Sequence, residues 1–183
     1  MLFQDWHANG CEGREHLSIY DFLNTGRGIK TLRPLKAGDE LLTIPGNLLW
    51  TVNAAEADPI LGPILHEFNP PISEEATLVV YLLFVKSRES GYDERRLHIR
   101  SIPTHYTNSV LFNGADLEVC AGSSLYTITI ELKKQIRTDY LVLKGKLCTK
   151  HPDIFPLNRF TLKRWVCIYL SYIIISICDT PYN

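Results

Sequence analysis

One long periodicity constrains this chain more than any other feature: Leu125, Ile128, Leu132, Ile136, Tyr140, Leu143 and Leu147 follow one another at spacings of three and four. That spacing gathers them on one side of an α-helix, whereas a strand would alternate every second residue. It predicts an amphipathic helix of about five turns or more, with Lys133, Lys134 and Arg137 toward solvent and the stripe forming a core seam. His151-Pro152 ends it, and Phe160 to Trp165 starts another helix.

The segment before it is also helical in texture. Asn53 can cap Ala54–Ala57, and Ser73 can cap a helix whose first turn holds Glu74 and Glu75, where the dipole favours acids. That helix runs to about Ser90, with Leu78, Tyr81, Leu82 and Val85 on one face and Gly91 as its stop. A linker near Ile102-Pro103 precedes a short helix at Ala115–Cys120. At the other end, residues 2–9 predict a short helix carrying Phe3 and Trp6, ended by Gly10. Between these, Leu17 to Leu49 reads as β: LSIYDFL, a turn over Asn24-Thr25-Gly26-Arg27-Gly28, IKTL, a turn at Ala37-Gly38-Asp39, then ELLTIP. The fold class is α+β, small antiparallel β-units followed by a helical region.

Composition now excludes several functions. Nineteen Lys+Arg against twenty Asp+Glu, a net charge of -1, argue against binding by bulk phosphate neutralisation and leave only a local basic patch open, so no direct nucleic-acid binding is expected. The Arg95, Arg96 and Arg100 group, beside Glu94, reads as a solvated helix end. Five cysteines (Cys11, Cys120, Cys148, Cys167, Cys178) without a C-x-x-C pair indicate reduced thiols of a cytoplasmic or nuclear protein. The six histidines show no ligand spacing, and Cys11 with His16 alone makes no metal site. There is no G-x-S-x-G, P-loop or H-E-x-x-H, and the N-terminus lacks a signal-peptide pattern. The apolar run Trp165 to Cys178 falls short of the roughly 20 residues that span a bilayer.

Gly26-Arg27-Gly28 is the one short motif with two readings. Two glycines around a long cation let the backbone approach a ligand closely. The same pattern between two strands is also an ordinary hairpin turn.

The surrounding blocks separate these readings by resemblance. Thr25-Gly26-Arg27-Gly28-Ile29, then Leu35-Lys36-Ala37-Gly38-Asp39-Glu40-Leu41-Leu42, then Ile44-Pro45 resemble the opening of a SET domain of the RuBisCO large-subunit methyltransferase type. Trp6…Gly10 resembles the family's N-terminal W-x-x-x-G. Ser101-Ile102-Pro103, Leu111-Phe112-Asn113, Asp116-Leu117 and Gly122-Ser123-Ser124-Leu125 resemble its inserted helical region. The resemblance covers about residues 3 to 165. It implies an S-adenosylmethionine-dependent protein-lysine N-methyltransferase, with Thr25, Gly26, Arg27 and Gly28 meeting the amino-acid end of the cofactor. It also implies a protein substrate bearing a target lysine.

Two departures accompany it. The Trp and Tyr that usually precede S-L-P fall at Arg95 and His98. No S-R pair follows Trp165, and no N-H-S or G-E-x-x-x-x-Y-G segment appears; Tyr169, Tyr172 and Tyr182 stand in other contexts, so no catalytic residue is assigned. The expectation is therefore an incomplete SET fold divided into a lead (1–16), a β-region (17–50), a helical insert (51–165) and an apolar tail (166–183). The tail departs from the family at Val166-Cys167, which GTATGT can encode, as in an intron start; a translated intron and a genuine packed helix are the two readings. The chain is expected to be a truncated, inactive enzyme form, monomeric if folded and free of membranes, or a non-catalytic protein-interaction module derived from a SET protein; a third reading is a membrane-anchored protein held by the C-terminal apolar run. Either way the Leu17–Leu49 strands are expected to expose unpaired edges and apolar surface.

Overall fold

The structure, a computed structural model, describes residues 10–88, 96–103 and 105–177. The expected helix over residues 2–9, Gly91, Arg95, Cys178 and Tyr182 lie outside them, whereas the helix expected to run to about Ser90 ends earlier, at Ser87, where the backbone of Arg88 turns extended. Two compact units result: residues 10–50 with 96–98, and residues 51–88 with 99–103 and 105–177.

In the first unit, β1 (Leu17–Phe22) and β2 (Gly26–Thr31) pair antiparallel, from Leu17↔Thr31 to Phe22↔Gly26. The chain reverses over Leu23–Thr25, so the turn expected at Asn24–Gly28 is corrected: Gly26, Arg27 and Gly28 already belong to β2. The third strand expected over ELLTIP does not form. That segment makes one antiparallel bridge, Glu12 with Thr43, through N–H···O bonds of 3.1 and 3.0 Å. A strand needs a neighbour along its length, and Pro45 closes this one almost at once. The turn before it is pinned by Asp39, whose carboxylate accepts from the Lys36 amide and from Arg33, both at 3.1 Å.

The second unit is helical. The first helix, α1 (Val52–Glu56), is capped by Thr51 and not by Asn53: extended Thr51 accepts from the Ala54 amide at 3.1 Å, and Asn53 lies inside the helix. Next comes α2 (Leu61–Leu65), a helix the sequence analysis does not assign. Pro63 occupies the first turn, where its missing N–H costs nothing, and Asp58 caps the amides of Ile60 and Leu61 at 2.9 Å. The next helix, α3 (Glu74–Ser87), starts at Ser73 as the sequence indicates. Its apolar surface is wider than one face. Val79, Val80, Leu83 and Phe84 are buried along with Tyr81 and Leu82, because α3 packs against α1, α2 and α7.

A short α4 (Arg96–Ser101), whose first three residues belong to the first unit, and α5 (Gly114–Glu118) follow, the latter closed by a reciprocal capping box between Asn113 and Asp116. The long helix α6 (Ser124–Lys150) is present, with Ile136, Tyr140, Leu143 and Leu147 buried. Its first part corrects the expected stripe: Leu125 and Ile128 are exposed, and Thr129 is buried instead. The reason is local. The one-turn segment Ser109–Leu111 packs here, and Thr129 Oγ1 donates to Ser109 Oγ at 2.7 Å.

The last helix, α7 (Leu162–Ile177), begins after Thr161, whose Oγ1 accepts from the Arg164 amide at 3.3 Å. It runs through Trp165 without a break and buries Ile168, Tyr169, Leu170 and Ser171. No helix among the described residues is long and apolar enough to cross a membrane.

The core of this unit is aromatic. Tyr140 stacks on Phe160 with ring centroids 5.8 Å apart, Phe160 meets Trp165 at 5.9 Å and Phe155 at 5.8 Å, and Phe155 meets Phe84 at 6.2 Å. Tyr140 Oη donates to the Phe160 carbonyl at 3.2 Å, so the buried hydroxyl is paired.

Candidate functional site

The four residues singled out in the sequence lie together at the tip of the hairpin. Thr25, Gly26 and Arg27 are exposed and Gly28 is half-buried. Gly26 has φ +74°, the left-handed conformation that ends a three-residue loop and lets the chain enter β2. A Cβ on Gly26 would meet nothing within 4 Å, so its requirement is conformational.

Gly28 answers to a different constraint. A Cβ there would stand 3.1 and 3.3 Å from two ring carbons of Phe22. Phe22 lies diagonally across the ladder, one pair beyond Tyr20, the partner of Gly28. Its ring therefore lies over bare backbone, an aromatic side chain covering a cross-strand glycine. Tyr20 meets Phe22 edge-on at 4.9 Å, and the Lys30 ammonium lies 4.8 Å above the Tyr20 ring. One face of the hairpin thus carries Tyr20, Phe22, the two glycines and Lys30. The opposite face carries Ile19 against Ile29 and Asp21 against Arg27. Sequence alternation assigns these faces, but the diagonal Phe22–Gly28 contact needs the register and was missed.

The same unit holds a second pair absent from the sequence reading of sites. Trp50 Nε1 donates to His98 Nδ1 at 2.7 Å, and burial holds the His98 imidazole below its ordinary pKa. The two rings lie with centroids 6.2 Å apart, tilted by 35°. Asp39 lies below the usual carboxylate range, first because of the Lys36 amide and then because of Arg33.

The second unit brings together Glu67, Lys150 and His151: Glu67 lies 3.2 Å from Lys150 Nζ and 3.2 Å from His151 Nε2. The Lys150 hydrogen bond is the main cause that holds the Glu67 carboxyl low. Tyr106 Oη and Ser171 Oγ are 2.5 Å apart, and burial raises the Tyr106 phenol. No cluster of three or more metal-ligating side chains occurs among the described residues. Cys11 and Cys148 are buried free thiols, and burial raises both.

No protein-family model matches the chain. The actin-histidine N-methyltransferase of Xenopus tropicalis is 22% identical to it over 160 residues, covering 87% of this chain and 26% of that protein. A chloroplastic [fructose-bisphosphate aldolase]-lysine N-methyltransferase of Arabidopsis thaliana is 21% identical over 141 residues, 77% of this chain and 28% of that protein. The chain thus spans about a quarter of the length of the curated relatives it matches. Among solved structures, Rubisco LSMT bound to AdoMet superimposes with a TM-score of 0.79 at 18% identity, over 92% of this chain and 38% of that one. Rubisco LSMT bound to sinefungin and monomethyllysine gives 0.77 at 18% identity, over 91% and 38%. The α+β arrangement of this chain is therefore that of the matching part of the LSMT SET fold.

Proposed function

We propose that this chain provides the first wall of the cofactor pocket and the inserted helices of an S-adenosylmethionine-dependent protein-lysine N-methyltransferase of SET type. The superposition at a TM-score of 0.79 on a structure bound to AdoMet carries this reading. Two relatives named as protein N-methyltransferases, one acting on histidine and one on lysine, support a protein substrate.

The residues at the hairpin tip fit the amino-acid end of such a cofactor. Arg27 supplies an exposed guanidinium for its carboxylate, and Thr25 and Gly26 offer exposed backbone without a side chain in the way. At Gly28 the Phe22 ring already covers one face, so contact there would come from the other side or alongside the ring. Bound S-adenosylmethionine would supply an activated methyl group. The task of Thr25, Gly26, Arg27 and Gly28 would be to fix its orientation, which accelerates transfer by proximity. No residue of this chain is assigned the catalytic proton or channel role. Action in cytoplasm or nucleus is part of the proposal.

Calorimetric titration of the purified chain with S-adenosylmethionine tests it. Saturable binding that Arg27→Ala weakens at least about tenfold is the expected result. No binding up to millimolar cofactor would overturn the reading for this chain. The second reading, a non-catalytic interaction module, is favoured by the exposure of Ile19, Ile29 and Leu32 on the hairpin and would then stand.

A further inference from the structure

Along an antiparallel ladder, pairs that exchange backbone hydrogen bonds alternate with pairs that do not, and side chains stand closer in the second kind. The Leu32 amide donates to the His16 carbonyl at 2.8 Å, which fixes the phase of this hairpin. In the same register Ser18↔Lys30, Tyr20↔Gly28 and Phe22↔Gly26 are the exchanging pairs, and Asp21↔Arg27 is of the closer kind. The Cβ atoms of such a facing pair stand about 4.5 to 5.5 Å apart.

Asp21 is the one carboxylate of the two strands, and Arg27 and Lys30 are their two cations. Lys30 lies on the opposite face, held over the Tyr20 ring. The face of Asp21 and Arg27 thus carries one charge of each sign, both exposed, one pair in from the turn. The ion pairs of the described residues fall on Glu15, Asp39 and Glu67, so neither charge is spent in them. The other face is obstructed at Gly28, where the Phe22 ring stands 3.1 Å from the place a Cβ would take. A ligand that reaches the Gly28 backbone across the strands therefore meets Asp21 and Arg27.

We propose that Asp21 is a further cofactor-binding residue, accepting from the α-ammonium of S-adenosylmethionine while Arg27 donates to its carboxylate; this rests on the cofactor reading given above. An α-amino acid carries both charges on one carbon, so an acid and a guanidinium facing each other across two strands complement it. A lone arginine would accept any carboxylate, whereas the pair demands the zwitterion. Asp21, with its short side chain, would hold the ammonium close to the strands, and the longer Arg27 would reach the carboxylate from beside it. Ile19 and Ile29, the next pair along this face, offer apolar contact to the methylene groups that follow.

Calorimetric titration of the full chain with S-adenosylmethionine, and with its decarboxylated analogue that keeps the ammonium, tests the assignment. Asp21→Asn, equal in size, is expected to weaken both ligands at least about tenfold. Asp21→Glu restores the carboxylate and is expected to hold S-adenosylmethionine within about threefold of the unaltered chain. Arg27→Ala is expected to weaken S-adenosylmethionine and leave the decarboxylated analogue unchanged. No binding of S-adenosylmethionine by the unaltered chain would overturn the cofactor reading and this proposal with it. Binding that Arg27→Ala weakens and Asp21→Asn leaves unchanged would overturn this proposal alone. Equal losses in Asp21→Asn and Asp21→Glu would also overturn it, by showing that the position matters and its charge does not. A loss in Asp21→Asn confined to the ligand with a carboxylate would do the same, by placing the effect on Arg27.

Discussion

Trp50 and His98 lie 48 residues apart in sequence and share a 2.7 Å hydrogen bond in which the indole N–H donates to Nδ1. Nδ1 can accept only while it carries no proton, so the pairing fixes a neutral imidazole with its proton on Nε2. Nitrogen-detected NMR should find that tautomer at neutral pH.

The His98 pKa is held below its ordinary value by burial, which sets the sign of its pH dependence. The unfolded chain takes up the proton first, so this contribution to stability is complete above about pH 6.5 and declines as pH falls below it. Denaturant midpoints measured from pH 8 downward should drop through that window, and His98→Phe should flatten the drop. An unchanged profile in the variant would remove His98 as the cause.

Gly28→Ala should loosen the hairpin by about 1 kcal/mol, because the new methyl displaces the Phe22 ring. In a Phe22→Ala background the same substitution should be nearly neutral, and amide exchange in β1 and β2 would read both. Additive effects would show that the ring and the glycine are not in contact.

Gly26→Ala acts by another route. With φ at +74° and nothing near its missing Cβ, the cost is backbone strain, about 1 kcal/mol. Removing Phe22 should not relieve it, which separates the two glycines experimentally.

In the helical unit, Tyr140→Phe removes the hydroxyl that donates to the Phe160 carbonyl and should cost about 1 kcal/mol. Leu147→Ala empties a fully packed position and should cost about 2–5 kcal/mol. Thermal unfolding would order these two variants, and a reversed order would contradict the packing described.

Features carried by local chemistry were readable in the sequence. Ser73 with Glu74 and Glu75 marks a helix start whatever follows, and the spacing from Ile136 to Leu147 admits one geometry. The hairpin strands were visible from LSIYDF and IKT, although the turn was placed too late. What stayed hidden depends on partners distant in sequence. The cover of Phe22 over Gly28 requires the register, and the Trp50–His98 bond requires the path of the whole intervening chain. Likewise α2 was not assigned, and its Pro63 sits in the first turn, where a proline is compatible with a helix start. Of the four hairpin-tip residues, the sequence placed all on one turn, and the structure keeps them contiguous but in β2 beyond Thr25.

The contact between Thr129 and Ser109 has a consequence for how α6 is oriented about its own axis. Leu, Ile and Tyr side chains tolerate small rotations of a helix, since dispersion has no preferred direction. A hydroxyl pair 2.7 Å apart does not: turning α6 by one residue, about 100°, would leave a buried Thr129 Oγ1 without its partner. The stripe decides that the helix packs, and this hydroxyl pair, together with the Tyr140–Phe160 bond further along, sets its rotational phase.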